Sequence, residues 1–114
     1  EWEKEVAEFY QSLGISQGPG DALYRIILLV LSKNGVGNMT SFSEIRKYTD
    51  QIAERGSVGS KLKTVFQLEG LVKKVKRGGY VLTEKGMIAA DFIMNTSKYY
   101  KSVKKIEEMM ERIP

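Results

Sequence analysis

Between positions 84 and 112 the chain carries no proline and one early glycine, Gly86, so nothing interrupts a helix over nearly thirty residues. Thr83 supplies an N-cap oxygen at its start. A helix of this length exceeds what one small core covers, and its second half must be buried by something else. That half reads Tyr99, Val103, Ile106, Met110 and Ile113 at spacings of four, three, four and three, with Phe92 seven positions before Tyr99. Such spacing is a heptad seam. Two burials compete: the helix folds back over its own domain and the Trp2 helix, or it pairs with a second copy. Trp2, Phe9, Tyr99 and Tyr100 are more aromatic surface than the ends of a monomer expose, which favours the second copy. A homodimer is therefore expected, with Trp2, Val6 and Phe9 joining Phe92, Tyr99, Val103, Ile106, Met110 and Ile113 at its two-fold axis. Tyr99-Tyr100 as a ligand-stacking pair is the weaker reading at helical spacing.

Upstream, Trp2, Val6, Phe9 and Leu13 recur every three or four residues and predict an amphipathic helix that Gly14 ends. Residues 14–20, rich in Gly, Ser and Gln and holding Pro19, read as a linker. Asp21 is a second N-cap, and Ala22, Leu23, Ile26, Ile27, Val30 and Leu31 give the helix after it a wide apolar stripe, closed by Asn34-Gly35. Ser41 with Glu44 three positions on is a capping box. The helix it opens has Phe42, Ile45, Tyr48 and Ile52 on its apolar side. Gly56 separates it from a third helix starting at about Ser57, with Val58, Leu62, Val65 and Leu68 as the buried stripe and Gly70 as its end. Leu71 to Val75, then Lys76-Arg77-Gly78-Gly79, then Tyr80-Val81-Leu82 predicts a β-hairpin turning on the two glycines. The expected fold class is mainly α with a small β-hairpin. Its parts are an N-terminal helix and linker (1–19), a central domain (20–86) and a long C-terminal helix (87–114).

A chain of 114 residues builds one core and seldom two. It has no Cys and no His, which removes thiol nucleophiles, imidazole bases, the usual zinc and iron ligands and any disulfide framework. The carboxylates Glu107, Glu108 and Glu111 alternate with Lys104 and Lys105 as on a solvated helix face, so no general acid or base is indicated. Gly78-Gly79 lacks the Lys-Ser/Thr of a phosphate loop. No enzyme, metal, cofactor or small-molecule ligand is expected. The longest apolar run, residues 26–31, is far too short to cross a bilayer, and with no charged-then-apolar leader in view the cytoplasm is the expected location.

The order helix, helix, helix, hairpin, helix resembles the winged helix-turn-helix family. The resemblance is carried by Ile45-Arg46-Lys47-Tyr48-Thr49, by Ser57-Val58-Gly59-Ser60-Lys61-Leu62-Lys63-Thr64-Val65, by Leu68-Glu69-Gly70-Leu71-Val72, and by Tyr80-Val81-Leu82-Thr83-Glu84-Lys85-Gly86. It spans roughly residues 21–95, and these four segments seldom occur together in this order. Residues 50–56 are longer than the usual turn between the second and third helices, and one extra residue sits before Gly70. The long last helix is similar to that of small archaeal winged-helix proteins and PadR-like regulators that dimerise through a terminal helix.

What the resemblance implies is double-stranded DNA as partner, with the third helix (57–69) in the major groove and the wing (73–79) on the backbone or in the minor groove. The residues agree with it. Ser57, Gly59 and Ser60 are small enough for close approach, Thr64 and Gln67 carry hydrogen-bonding groups, and Lys61 and Lys63 suit phosphates or guanine. No Arg or Asn stands at the front of that helix, so modest base specificity is expected. Lys73, Lys74, Lys76 and Arg77 put four cations into five positions; lysines that guard a sheet edge against aggregation are the competing explanation. A formal charge of only +4 means placement rather than total decides. The function expected is a dimeric transcription repressor with its two third helices about 34 Å apart, one DNA turn. Its rivals are an architectural or plasmid-partition protein with little sequence preference and a winged helix that binds protein.

Overall fold

The structure is a computed structural model and describes all residues except 1, 14, 16, 17 and 114, with the side chain of Trp2 also left out. It is mainly helical with a small three-stranded antiparallel sheet. The elements in order are α1 (Trp2–Ser12), a single 3-10 turn (Gly18–Gly20), α2 (Ala22–Asn34), β1 (Met39–Ser41), α3 (Phe42–Thr49), α4 (Arg55–Lys61) running directly into a π-helical segment (Leu62–Gln67), β2 (Val72–Lys76), β3 (Gly79–Leu82) and α5 (Glu84–Glu111).

The caps read from the sequence are made. Asp21 accepts from the Leu23 and Tyr24 amides, Ser41 from Glu44 at 3.1 Å, and Thr83 from Gly86 at 3.0 Å, each satisfying an amide that the first turn leaves without an intrahelical partner. Gly35 leaves α2 at φ 84°, a backbone conformation that glycine alone adopts without steric cost. The core forms where α2 delivers Ile27, Leu28, Val30 and Leu31 against Ile45 of α3, Val58 of α4, Phe66 of the π segment, Leu82 of β3 and Ile93 of α5.

Strand β1 is absent from the sequence pattern because it is only three residues long. It pairs antiparallel with β3, Thr40 opposite Tyr80, so the sheet order is β1-β3-β2 and β2 is a free edge. The hairpin turns on Arg77-Gly78 rather than on two glycines. Gly78 takes φ 72°, and Gly79 has already entered β3, where a Cβ would stand 2.6 Å from the Met39 sulfur of β1.

Two buried stripes differ from expectation. On α3, Tyr48 and Ile52 are exposed and Thr49 takes the inner position, because the helix stops at Thr49 and the chain turns away. In the third helix the π segment admits one additional residue per turn, which rotates everything after Leu62 by about 100°. The inner stripe is therefore Val58, Leu62 and Phe66, while Val65 is half-buried and Leu68 is 78% exposed. Phe66 is held inward by Tyr24 of α2, whose ring stacks on it at 5.1 Å.

Helix α1 packs on its own chain. Val6 and Ala7 are buried, and Phe9 sets its ring edge against Tyr100 of α5 at 5.3 Å. Arg25, in the middle of the apolar α2, ties these pieces together. Fully buried, it donates to Glu3 of α1 at 2.7 Å, to the Pro19 carbonyl at 3.5 Å and to Ser97 of α5. Burying a guanidinium is costly unless carboxylate and hydroxyl partners satisfy it, and here they come from three parts of the chain.

Candidate nucleic-acid interface

The third helix starts two residues earlier than expected, at Arg55, after a turn over residues 50–54 in which Ala53 donates to the Thr49 carbonyl at 3.0 Å. Its first exposed side chain is accordingly an arginine, which the sequence pattern places in the 50–56 turn because Gly56 reads as a boundary. Arginine bonds guanine bidentately, so the front of this helix holds the kind of side chain that the sequence reading found missing.

Behind Arg55 the outer face is small and polar. Ser57, Ser60, Lys63 and Thr64 are exposed, and Gly59 and Gln67 are half-buried. A concavity of about 470 Å³ runs along Ser57, Ser60 and Thr64, with Glu54 also among its lining residues. The Thr64 hydroxyl donates to the Ser60 carbonyl at 2.7 Å, which leaves its lone pairs able to accept. Gly59 lies inside the helix, where glycine costs about 1 kcal/mol against alanine, and Gly56 lies in its first turn, yet a Cβ at either would meet nothing within 4 Å. The fold itself does not require either glycine.

Lys61 is a correction. Its ammonium is bonded to the Asp21 carboxylate and so is not at hand for a phosphate; the side chain turns toward the start of α2. The hairpin cations are differently placed. Lys73, Lys74, Lys76 and Arg77 are all exposed on the free edge strand and its tip, and among the described residues no carboxylate lies within ion-pair distance of them. The hairpin packs directly on the third helix: the connection is residues 68–70, and the Leu71 amide donates to the Phe66 carbonyl at 2.9 Å. A register shift between Lys74 and Lys76 kinks β2 and leaves Val75 exposed, so the alternation of an ordinary strand is lost.

Adjoining this concavity, and sharing Lys61, Thr64 and Val65 with it, a larger groove of about 910 Å³ lies between the π segment, the start of α2 and the start of α5. Tyr24, Val65, Leu71, Ile88 and Phe92 supply its apolar walls; the Lys61–Asp21 pair and Lys85, which donates to the Glu69 carbonyl at 2.6 Å, form its rim. Burial raises the Tyr24 pKa above its ordinary value of 10.0, and the nearby Glu69 charge adds to this.

The expected dimer residues divide. Val6 is buried and Phe9 is packed on Tyr100, so α1 uses both within one chain, and the Trp2 side chain lies outside the described residues. Phe92, Tyr99, Val103, Ile106, Met110 and Ile113 are all exposed, and from residue 101 to 113 the helix has no buried residue.

Among the described residues no group of His, Cys, Asp and Glu is arranged to hold a metal ion, and no helix is long and apolar enough to cross a membrane. Comparison with protein-family models, curated proteins and solved structures finds no match.

Proposed function

We propose that the chain is a winged helix-turn-helix protein that binds duplex DNA as a homodimeric transcription regulator in the cytoplasm, without catalysis, metal or cofactor. Helices α3 and α4 are the helix-turn-helix, the third helix from Arg55 enters the major groove, and the β2–β3 hairpin is the wing. The observation that carries this reading is the pair of glycines at 56 and 59. They weaken a helix in which alanine would fit, and what they give in exchange is room for a backbone to approach a surface closely. A surface approached beside four cations that have no carboxylate partner among the described residues is one rich in phosphate. On this reading Lys63 and the wing residues Lys73, Lys74, Lys76 and Arg77 neutralise phosphates, and Arg55, Ser57, Ser60, Thr64 and Gln67 face base edges.

Repression by occluding a promoter is the simplest mechanism. Selection of sites from a random duplex library at near-physiological salt tests the proposal. A two-fold symmetric consensus supports the regulator and its dimer; binding without enrichment selects the architectural rival. Absence of duplex binding at any salt leaves the protein-binding winged helix.

A further inference from the structure

Helix α5 has two apolar faces, and its own chain uses only one. At about 100° per residue, buried Ala90, Ile93, Ser97 and Tyr100 centre on one side. Exposed Ile88, Phe92, Tyr99, Ile106, Met110 and Ile113 fall within about 60° of one another, roughly 150° around the helix from the buried set. This second stripe runs some 38 Å from residue 88 to 113, and its first two members are also walls of the larger groove beside the third helix. With Val103 and Met109 it presents roughly 1,000 Å² of apolar side chain, taking about 200 Å² for each fully exposed large residue, which exceeds the roughly 800 Å² per partner of a stable interface.

We propose that the occupant of this stripe and of the groove is α5 of a second copy, running antiparallel with residue 101 at the two-fold axis. This assignment rests on the reading of the chain as a dimer and fixes how that dimer is made. The stripe is self-complementary about this point. Phe92 meets Met110 of the second copy, Tyr99 meets Val103, and Ile113 of the second copy reaches Ala89, beside Ile88, over Tyr24 and Val65. In this register Ile106 falls level with Thr96, which is buried in its own chain, and packs beside Tyr99 of the second copy instead. The helix end carries unpaired carbonyls and partial negative charge, and it arrives near Lys85 at the groove rim. Because Val65 belongs to the π segment, the tail of one copy braces the DNA-facing helix of the other, and the groove is incomplete in a monomer.

The chain has no cysteine, so disulfide trapping is clean. Phe92 and Met110 of one copy are about 27 Å apart along the helix, too far to bridge internally. Both are exposed, so F92C and M110C leave the core intact. Oxidised F92C/M110C is expected to run as a covalent dimer on a non-reducing gel, with neither single variant doing so. I106C is expected to stay uncrosslinked, since its counterpart in the second copy is displaced by about 15 Å. Crosslinking of I106C to itself means a parallel pair and overturns the proposal, as does a monomer in sedimentation equilibrium at tens of micromolar. Trapping of F92C/M110C in a protein that binds no duplex upholds this interface and refutes the DNA-binding function. Duplex binding by a protein that sediments as a monomer does the reverse.

Discussion

Replacing Lys73, Lys74, Lys76 and Arg77 together by glutamine removes the wing charge without reversing it. With Arg55 assigned to base edges and Lys61 held by Asp21, the cations of this face left for phosphate are these four and Lys63. Five contacts per protomer give a slope of log K against log salt of about −4.5, and about −9 for a dimer, at roughly 0.9 per phosphate. For the proposed dimer, raising salt from about 50 to 200 mM should then lower affinity by about 10⁵-fold. The wing variant keeps only Lys63, so its slope should fall to about −2 and the same salt step should cost only about tenfold. Fluorescence anisotropy with one labelled duplex across a salt series reads both numbers. Lys104→Gln with Lys105→Gln, on the projecting end of α5, is the control and should leave the slope unchanged. A wing variant that retains the native slope would refute the reasoning, since the hairpin cations would then be no more than protection for the β2 edge.

Further expectations concern packing, glycines and pH. Phe66→Ala should cost about 3–5 kcal/mol in urea unfolding while Leu68→Ala stays within about 0.5, the opposite of an uninterrupted 3.6-residue stripe. Gly86→Ala should destabilise by about 1–3 kcal/mol, because a Cβ would stand 2.2 Å from the Leu71 carbonyl oxygen. Gly59→Ala should stabilise by up to about 1 kcal/mol and yet weaken duplex binding, a split that thermal melts and anisotropy on one sample reveal. The raised Tyr24 pKa means that the folded state favours the neutral phenol; its contribution is complete below the ordinary value of 10.0 and is lost as pH climbs through the folded pKa. Stability should decline above pH 10, and Glu69→Gln should bring the Tyr24 transition, followed by ultraviolet absorbance, back toward that value.

Helix starts and the hairpin were legible because caps and turn residues act locally: Asp21, Ser41, Thr83 and Gly78 need only their neighbours in sequence. What escaped depends on partners far along the chain. The π segment exists where Tyr24, 42 positions earlier, captures the Phe66 ring, and a period of 3.6 residues has no way to express the inserted residue. Its one trace was the surplus residue before Gly70. Arg25 sat unremarked on an apolar helix because its partners Glu3 and Ser97 come from the two ends of the chain. Arg55 was set aside because Gly56 punctuates strongly, although glycine is tolerated in the first turn of a helix. The exposed stripe of α5 is visible as a heptad seam, whereas Val6 and Phe9 join it in the sequence only because the aromatic surface favours a second copy over the competing fold-back on the Trp2 helix, and it is within one chain that Phe9 meets Tyr100.

The central claim is that the outer face of the third helix and the wing meet duplex DNA as one surface. Backbone amide shifts of the isotope-labelled protein, followed by NMR as a duplex is added at low salt, test it most directly. Perturbations grouped at Arg55, Ser57, Ser60, Lys63, Thr64 and residues 73–77, with α1 unmoved, are the expected result. Shifts confined to α1 or to residues 101–113, or a spectrum indifferent to the duplex, would contradict it.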